Sequence, residues 1–353
     1  MRRTLPCLAV LVACSGSATP PPASRAQEPG PPPPWTTARA ANVDAPIAPA
    51  GEPSVRATDR WFVRGVEISG DTVGWLEYVS RGEANQPVAD ARSRWIEMPL
   101  ATGDPAVVIS GLRTGTSDFA FDDQNLYVWL VDGQSFCEVP RVAALRHTLA
   151  PARNGVRPRV SNGTVCFVSV TVADSGIFCG ARDRSTAFRP VGEVPGGSAA
   201  PVIASGSAYW LANGCVMRAA TDGTERTPER VFCDATLDGP LAADGQVAYA
   251  LTHAGDRTEV VRLDPAARSA TVLHALPGAG VAIAANGARV AVVTQEATEA
   301  HLTLLAADGS ARGTSLGARE VHDLALGADR AIFAIRDAAN VGWTEIDELL
   351  APP

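Results

Sequence analysis

The fold is decided by the stretch VAIAANGARVAVV, residues 281–293. Two short apolar runs flank the pair Asn286-Gly287, and both residue types readily adopt the positive φ angles of hairpin turns. Small and β-branched residues fill the two runs, which is typical of strands buried in a sheet. The run Leu241-Ala242-Ala243 followed by Asp244-Gly245 has the same form. Both stretches predict a tight antiparallel hairpin.

The second strand of this hairpin belongs to a repeat with a spacing near 40 residues. Seven short apolar strands recur along the chain, each with a large apolar or β-branched residue at its centre: Trp75, Trp129, Phe167, Trp210, Tyr249, Val292 and Phe333. A short strand and a turn precede each of them, and a third and a weaker fourth strand follow. Helical periodicity is absent over any long stretch. Four short strands in each repeat predict a β-propeller, because a single blade buries its faces only against its neighbours.

The sequence therefore predicts an all-β fold, a seven-bladed β-propeller of four-stranded antiparallel blades over residues 54–353. The last blade lacks an obvious fourth strand. The apolar run Arg60-Trp61-Phe62-Val63 is predicted to supply it, so that an N-terminal strand closes the ring and removes an open edge. The alternatives are a pair of β-sandwiches and a β-solenoid.

The repeat resembles the WD40-like and TolB-like bacterial propellers over roughly residues 55–351. No blade carries a complete Gly-His…Trp-Asp signature, so the resemblance is one of architecture. The TolB-like resemblance implies a role in assembly of the cell envelope.

The N-terminus carries a targeting signal. Met1-Arg2-Arg3 is basic, and Leu5 to Ala13 is an apolar run too short to span a bilayer. The next motif, Leu11-Val12-Ala13-Cys14, resembles a bacterial lipobox. That resemblance implies removal of a signal peptide at 1–13, diacylglycerol and palmitate on Cys14, and a lipid bilayer as partner. The alternative is an ordinary secretory leader cut after Ala26.

Residues 14–53 are predicted to form a Pro-rich disordered tether, because few apolar side chains are present to offset the entropy of ordering. Ser15, in place of Asp after the lipidated cysteine, favours the outer membrane by analogy with enteric bacteria. We expect a lipid-anchored envelope protein with its folded part at the periplasmic or surface face.

Composition excludes several classes of function. All 30 basic residues are arginine, and an enzyme with a Schiff-base lysine or a phosphate-binding loop needs a lysine. The net charge of −8 argues against general nucleic-acid binding. Motifs for zinc, calcium, dinucleotides and nucleophilic serine are absent from the sequence. We expect no metal, no cofactor and a monomeric protein, and the sequence assigns no catalytic residue.

Five cysteines remain beyond the leader and Cys14, which outside the cytosol indicates disulfides with one cysteine left over. Cys215 and Cys233 lie at equal distances from a turn centred between them, so they are predicted to pair. The pairing among Cys137, Cys166 and Cys179 stays open. A turn at Asp174-Ser175-Gly176 places Cys179 opposite Val170 instead of Cys166.

An acid-free stretch from Val139 to Ala173 is rich in arginine. It is a candidate site for an anion or an acidic partner, because arginine binds carboxylates and phosphates with two parallel hydrogen bonds. The candidate residues are Arg141, Arg146, Arg153, Arg157 and Arg159. The alternative is a solvated basic loop.

Three functions follow from this sequence. The first is an envelope lipoprotein that presents its propeller as a binding or scaffold module for a protein, peptide or glycan. The second is a hydrolase or lyase acting at the central channel, which requires charged side chains to converge there. The third is the envelope-assembly role implied by the TolB-like resemblance.

Overall fold

The computed structural model describes residues 34–40, 43–44, 46–49, 54–57, 62–78, 93–112, 114–130, 135–141, 147–151, 155–170, 175–183, 187–194, 200–225, 227–287, 289–306, 309–335 and 340–345. Residues Trp35–Pro353 fall within one compact unit. Every element in the described ranges is a β-strand, and the strands form seven sheets. These are called sheets 1 to 7 below, in chain order.

Three short strands precede the sheets: β1 (Thr36–Arg39), β2 (Ala48–Pro49) and β3 (Ser54–Ala57). Sheet 1 contains β4 (Phe62–Ser69), β5 (Thr72–Tyr78), β6 (Ser93–Pro99) and β7 (Ala106–Leu112). Sheet 2 contains β8 (Thr114–Phe121), β9 (Asn125–Leu130), β10 (Ser135–Pro140) and β11 (His147–Pro151). Sheet 3 contains β12 (Gly155–Ser161), β13 (Thr164–Val170), β14 (Ser175–Ala181) and β15 (Arg189–Glu193).

Sheet 4 contains β16 (Val202–Ala204), β17 (Ser207–Ala212), β18 (Cys215–Ala220) and β19 (Glu229–Cys233). Sheet 5 contains β20 (Ala242–Ala243), β21 (Ala248–Ala254), β22 (Arg257–Asp264) and β23 (Ser269–Pro277). Sheet 6 contains β24 (Ala279–Asn286), β25 (Arg289–Glu296), β26 (Glu299–Leu305) and β27 (Ala311–Gly317). Sheet 7 contains β28 (Val321–Leu326), β29 (Arg330–Ile335) and β30 (Asn340–Glu345), with β3 as its fourth strand.

The core lies between neighbouring sheets. Seven clusters of buried apolar side chains each join one sheet to the next. The cluster between sheets 7 and 1, for example, packs Val66 and Trp75 against Ile332 and Ala334, which closes the ring. All seven repeat residues from the sequence lie in the second strand of a sheet and are buried. The prediction of an all-β propeller with four-stranded antiparallel blades is confirmed.

Local sequence explains the hairpins. Asn162-Gly163 and Asn213-Gly214 occupy turns in which φ is 47° and 75°, and 53° and 69°, respectively. These angles are costly for most L-residues but accessible to Asn and Gly. The predicted turn glycines Gly245 and Gly287 also have positive φ. Gly-rich turns thus set the registers of the inner hairpins.

The closing strand comes from the N-terminus, but not from the predicted segment. Ser54–Ala57 pairs antiparallel with β30 and completes sheet 7. The prediction that Arg60-Trp61-Phe62-Val63 plays this role is wrong for its described half, because Phe62 and Val63 begin β4 and pair with Tyr78 and Glu77. The pairing of β4 with β5 continues through a register shift between Arg64 and Val66.

Part of the segment predicted as a tether is ordered. β1 pairs in parallel with β23, and β2 with β27, on the outer edges of sheets 5 and 6. Val43 is 2% exposed in the cluster between sheets 4 and 5. The few apolar side chains of this segment therefore find a partner surface, which composition alone does not reveal. The residues of the expected tether before 34 lie outside the described residues, as does the signal peptide.

Candidate functional site

The first strands of the sheets surround a central channel with a volume of about 1240 Å³. Successive first strands contact one another around the ring, from β4 through β28 and back to β4. The lining includes small residues such as Gly65, Ala243 and Ala285. The channel is therefore the place where side chains from distant parts of the chain converge.

Charged side chains cluster on one side of the channel. Glu67 lies on β4, Arg159 on β12, and His322 and Asp323 on β28. All four are half-buried. We call this set, carried by sheets 7, 1 and 3, the polar arc.

Glu67 is held against the neighbouring sheet. The backbone N–H of Phe121 donates a hydrogen bond of 3.1 Å to Glu67 Oε2. Burial raises the pKa of Glu67 to about 8, the Arg159 guanidinium opposes this shift, and Asp323 and Asp122 add to it. A carboxyl group with this pKa is mainly protonated at neutral pH, so it can donate as well as accept a hydrogen bond.

Asp323 links sheet 7 to sheet 1. The backbone N–H of Val66 donates to Asp323 Oδ2 over 2.9 Å, and that of Leu324 to Oδ1 over 2.9 Å. Both ends of the Val66 bond sit at register shifts, between Arg64 and Val66 on β4 and between Val321 and Asp323 on β28. Bulges redirect side chains at such points. Here they bring a carboxylate to the channel wall.

Arg159 differs from five other half-buried arginines and resembles Arg289, which donates to the Ala328 carbonyl and has no salt bridge in the described residues. In the described part of the chain it forms no salt bridge, and its hydrogen bond runs from Nη1 to the Pro158 carbonyl over 2.8 Å. Five half-buried arginines elsewhere pair with carboxylates: Arg94, Arg141, Arg182, Arg218 and Arg268. Most of the donors of the Arg159 guanidinium therefore remain available to a ligand in the channel.

On the opposite side of the channel, most of the lining residues are apolar, and their side chains pack mainly in the clusters between sheets. Its lining comes from the first strands of sheets 4, 5 and 6 and the residues beside them, chiefly Val202, Ile203, Leu241, Ala242, Ala243 and residues 281–285. We call this set the apolar arc. Asp244 lies at its rim, where it accepts hydrogen bonds from the N–H groups of Gln246 and Val247 and so shapes a turn. Apart from Asp244, the charged residues that line the channel in the described ranges thus belong to sheets 7, 1 and 3.

The predicted arginine patch does not form one surface. Arg141 donates through Nε to Glu97 Oε1 over 2.7 Å and through Nη2 to Glu97 Oε2, so it is committed to an ion pair between sheets 1 and 2. Its guanidinium also lies 5.7 Å from the centre of the Phe121 ring. Arg159 points to the channel instead. Arg146 and Arg153 lie outside the described residues, and of Arg157 only the backbone position in β12 is described.

Two disulfides each join neighbouring strands of one sheet, β13 to β14 and β18 to β19. The predicted bridge between Cys215 and Cys233 is present, and the two residues are directly opposite in sheet 4. The second bridge joins Cys166 and Cys179, which leaves Cys137 free and buried. The expectation that Cys179 faces Val170 is wrong, because Val170 pairs with Ser175 and the whole hairpin is shifted accordingly. Cys14 lies outside the described residues.

The described residues contain no group of three or more His, Cys, Asp or Glu side chains placed to hold a metal ion. Within the same ranges, no helix has the length and hydropathy to cross a membrane. The histidines remain scattered: His274 is buried in β23, while His322 alone among the described histidines lines the channel.

Sequence reasoning missed Glu67, His322 and Asp323. The available signal was a charged residue inside an otherwise apolar first strand, as in Gly65-Val66-Glu67-Ile68 and Val321-His322-Asp323-Leu324. Such a residue faces the axis of a propeller or the core between sheets, and it needs a polar environment in either place.

Comparison with known proteins gives the fold and no family. No family model matches the chain, and no curated protein matches it. Among solved structures, it is similar to the β-propeller domain of the trilobed protease from Pyrococcus furiosus, with 8% identity, a TM-score of 0.55, and coverage of 84% of this chain and 98% of that one. At this identity the likeness shows the propeller fold alone.

Two further neighbours are enzymes. An inactive variant of virginiamycin B lyase from Staphylococcus aureus, bound to quinupristin, has 12% identity and a TM-score of 0.57, with 83% of this chain and 99% of that chain covered. Acylaminoacyl peptidase from Pyrococcus horikoshii has 10% identity and a TM-score of 0.59, with 82% of this chain covered. The chain spans about half the length of that peptidase, since 52% of it is covered.

Proposed function

We propose that this protein is a lipid-anchored binding module of the bacterial envelope whose ligand site is the central channel. The observation that carries the proposal is the half-buried Arg159, which faces the channel beside Glu67 without a salt bridge in the described part of the chain. Charged groups are costly to bury without a partner, so they mark a surface that a ligand completes.

The proposed anchor is the lipid on Cys14, with the segment before Trp35 as the tether and an unidentified envelope peptide, protein or glycan as the source of the ligand. Replacing the thiol removes the acylation site, so we expect Cys14→Ala to move the protein from the membrane fraction to the soluble fraction. Retention of Cys14→Ala with membrane lipids contradicts the anchor and leaves the channel site untouched.

The channel site is tested by substitutions that place larger side chains at its lining. Ala285 and Ala243 are half-buried residues of the apolar arc on neighbouring sheets. Ala285→Phe and Ala243→Phe each add a ring at a residue that lines the channel, whereas Ala106→Phe adds the same ring on the exposed outer strand β7. We expect ligands from a panel of peptides, glycan fragments and carboxylates to raise the melting temperature of wild type and of Ala106→Phe only.

If no compound raises the melting temperature, or if both plugged variants respond as wild type does, the channel is not the binding site. The melting temperatures of the variants without ligand show whether each has folded. Two plugs on different strands keep the test valid if one of them disturbs packing.

A second function, a hydrolase or lyase acting at the channel, is favoured by Glu67. A carboxyl group with a pKa of about 8 can act as a general acid at neutral pH, and Asp323 provides a second carboxyl group in the same channel. The solved propeller neighbours include peptidases and a lyase. Turnover of any panel compound that is lost in Glu67→Gln, while binding remains, favours this second function over simple binding.

A further inference from the structure

A short N-terminal segment lies along the outer edge of sheet 5. We call residues 35–40 and 43–44 the N-terminal strap. Its strand β1 pairs in parallel with the first half of β23. Further along β23, the backbone N–H of Ala275 donates to the Val43 carbonyl over 2.9 Å, and Val43 is buried. The N-terminal strap therefore pairs with an edge of the sheet that would otherwise be open.

The side-chain contacts of the N-terminal strap include two ion pairs with β22. Arg39 Nη1 lies 2.6 Å from Glu259 Oε1, and Asp44 Oδ1 lies 3.0 Å from Arg257 Nη1. Both pairs have exposed members, and exposed pairs contribute little to stability. Segments with few buried contacts open more easily than the rest of a fold. A modest change in the charge of a group beneath this segment is therefore enough to shift its equilibrium between bound and released states.

His274 is a buried histidine at this place. It precedes Ala275 in β23, at a register shift where Val260 pairs with His274 and Val261 pairs with Val272. The residue is 1% exposed, and neither ring nitrogen has a hydrogen-bond partner among the described protein atoms. A charge on such a ring is costly, because no acceptor replaces the water that burial removes.

Two charged groups act on the His274 ring. Burial and the Arg257 guanidinium on β22 lower the pKa of His274, and Asp44 of the N-terminal strap opposes them. Release of the N-terminal strap takes Val43 and Asp44 away from this part of β23 and admits water to it. The released state then binds a proton at a pH nearer the ordinary value of 6.5 than the bound state does. Acid therefore favours release, and the effect begins as the pH falls below 6.5.

We propose that the N-terminal strap is an acid-sensitive switch, in which protonation of His274 releases residues 35–44 from sheet 5. The pairing of β2 with sheet 6 and of β3 with sheet 7 is retained, so the ring stays closed. With the lipid anchor on Cys14 proposed above, release lengthens the chain between anchor and ring by up to about 40 Å, the extended length of residues 35–46. The lengthening rests on that anchor, whereas the release does not.

The test is hydrogen–deuterium exchange of the full chain at pH 7.5 and pH 5.5, with each rate corrected for the intrinsic effect of pH. We expect protection of residues 35–44 to fall severalfold at pH 5.5. The upper limit is about tenfold, the change in protonation of a group with a pKa of 6.5 over this interval. Peptides from β24 and β25 serve as the internal reference and should keep their protection.

The variants His274→Leu and His274→Gln remove the group that takes up the proton. We expect each to protect residues 35–44 equally at both pH values. The matched control is His301→Leu, which removes a histidine of β26 beside Glu299. This control should lose protection of the N-terminal strap in acid as wild type does. Two replacements of different polarity keep the test valid if one of them disturbs packing.

Equal protection of residues 35–44 in wild type at the two pH values overturns the switch. A loss in acid that persists in both His274 variants, or that extends to β24 and β25, overturns it as well. The fractionation of Cys14→Ala tests the anchor separately, and the ligand panel tests the channel, so failure of the switch is distinguishable from failure of the proposed function.

Discussion

Arg141 and Arg159 are both half-buried arginines near a glutamate, yet their surroundings differ. Arg141 pairs with Glu97, and Glu97 also accepts a hydrogen bond from Trp95 Nε1 over 2.7 Å, so the group is saturated. Arg159 has a carbonyl as its recorded partner and a largely protonated carboxyl group nearby. The same residue types therefore fasten two sheets in one place and remain available to a ligand in the other.

The largest expected effect on stability comes from removing the cation of the pair between Arg141 and Glu97. Arg141→Gln leaves the Glu97 carboxylate, which is 10% exposed, without its cation. Removing one partner of a buried ion pair typically costs about 3–5 kcal/mol, so we expect a loss near 3 kcal/mol in the free energy of unfolding. Chemical denaturation measures this loss.

The matched variant is Arg159→Gln, for which we expect a change below about 1 kcal/mol because no salt bridge is lost. Equal losses in Arg141→Gln and Arg159→Gln contradict the distinction between a fastening group and a binding group.

A smaller effect is expected from Glu67 and depends on pH. Its pKa is raised from 4.5 to about 8 by burial, so the folded protein holds a proton that the unfolded chain releases. Stability from this group is complete below pH 4.5 and is lost as pH rises towards 8. We expect Glu67→Gln to match wild type at pH 4.5 and to exceed its unfolding free energy by ~2 kcal/mol at pH 8, after allowance for screening in the open channel.

Denaturation curves at several pH values measure that difference, and Glu97→Gln is the contrasting variant. Glu97 is paired, so its replacement should destabilise the protein at both pH values. A Glu67→Gln variant that is less stable than wild type at pH 8 indicates that Glu67 is an ordinary ion-pair partner.

The smallest expected effect on stability concerns His274, a buried residue of β23. It is 1% exposed, and neither ring nitrogen has a hydrogen-bond partner among the described protein atoms. Burial and the nearby Arg257 lower its pKa, whereas Asp44 opposes the shift. Folding therefore disfavours protonation, and stability falls as pH drops below the ordinary value of 6.5.

We expect His274→Leu to raise the unfolding free energy by ~1 kcal/mol at pH 7 and to flatten its decline below pH 6.5. Denaturation at pH 7 and pH 5.5 checks both parts. Destabilisation at both pH values means that the imidazole makes a polar contact in the folded protein.

The fold was predictable because its signal is repeated and local. Trp75, Trp210 and Phe333 each lie in a short apolar strand after a turn. Stacking such strands between neighbouring sheets buries their apolar side chains. Cys215 and Cys233 were predicted to pair because their hairpin is symmetric in sequence.

The channel site was not predictable in the same way. Glu67, Arg159 and Asp323 belong to three sheets and meet only because the ring closes. The pairing of Cys166 with Cys179 was also not predicted from the local sequence. This pairing depends on β14 beginning at Ser175. The strand from Thr36 to Arg39 was missed because its Pro-rich surroundings indicate a tether, whereas the edge of sheet 5 supplies its partner.

The central claim is that a ligand completes the polar arc at Arg159. The most direct measurement is a crystal structure of the protein with the panel compound that raises its melting temperature most. We predict density for that compound inside the channel, with an acceptor atom about 3 Å from the Arg159 guanidinium. A compound bound only outside the ring, or bound in the channel away from Arg159, contradicts the claim.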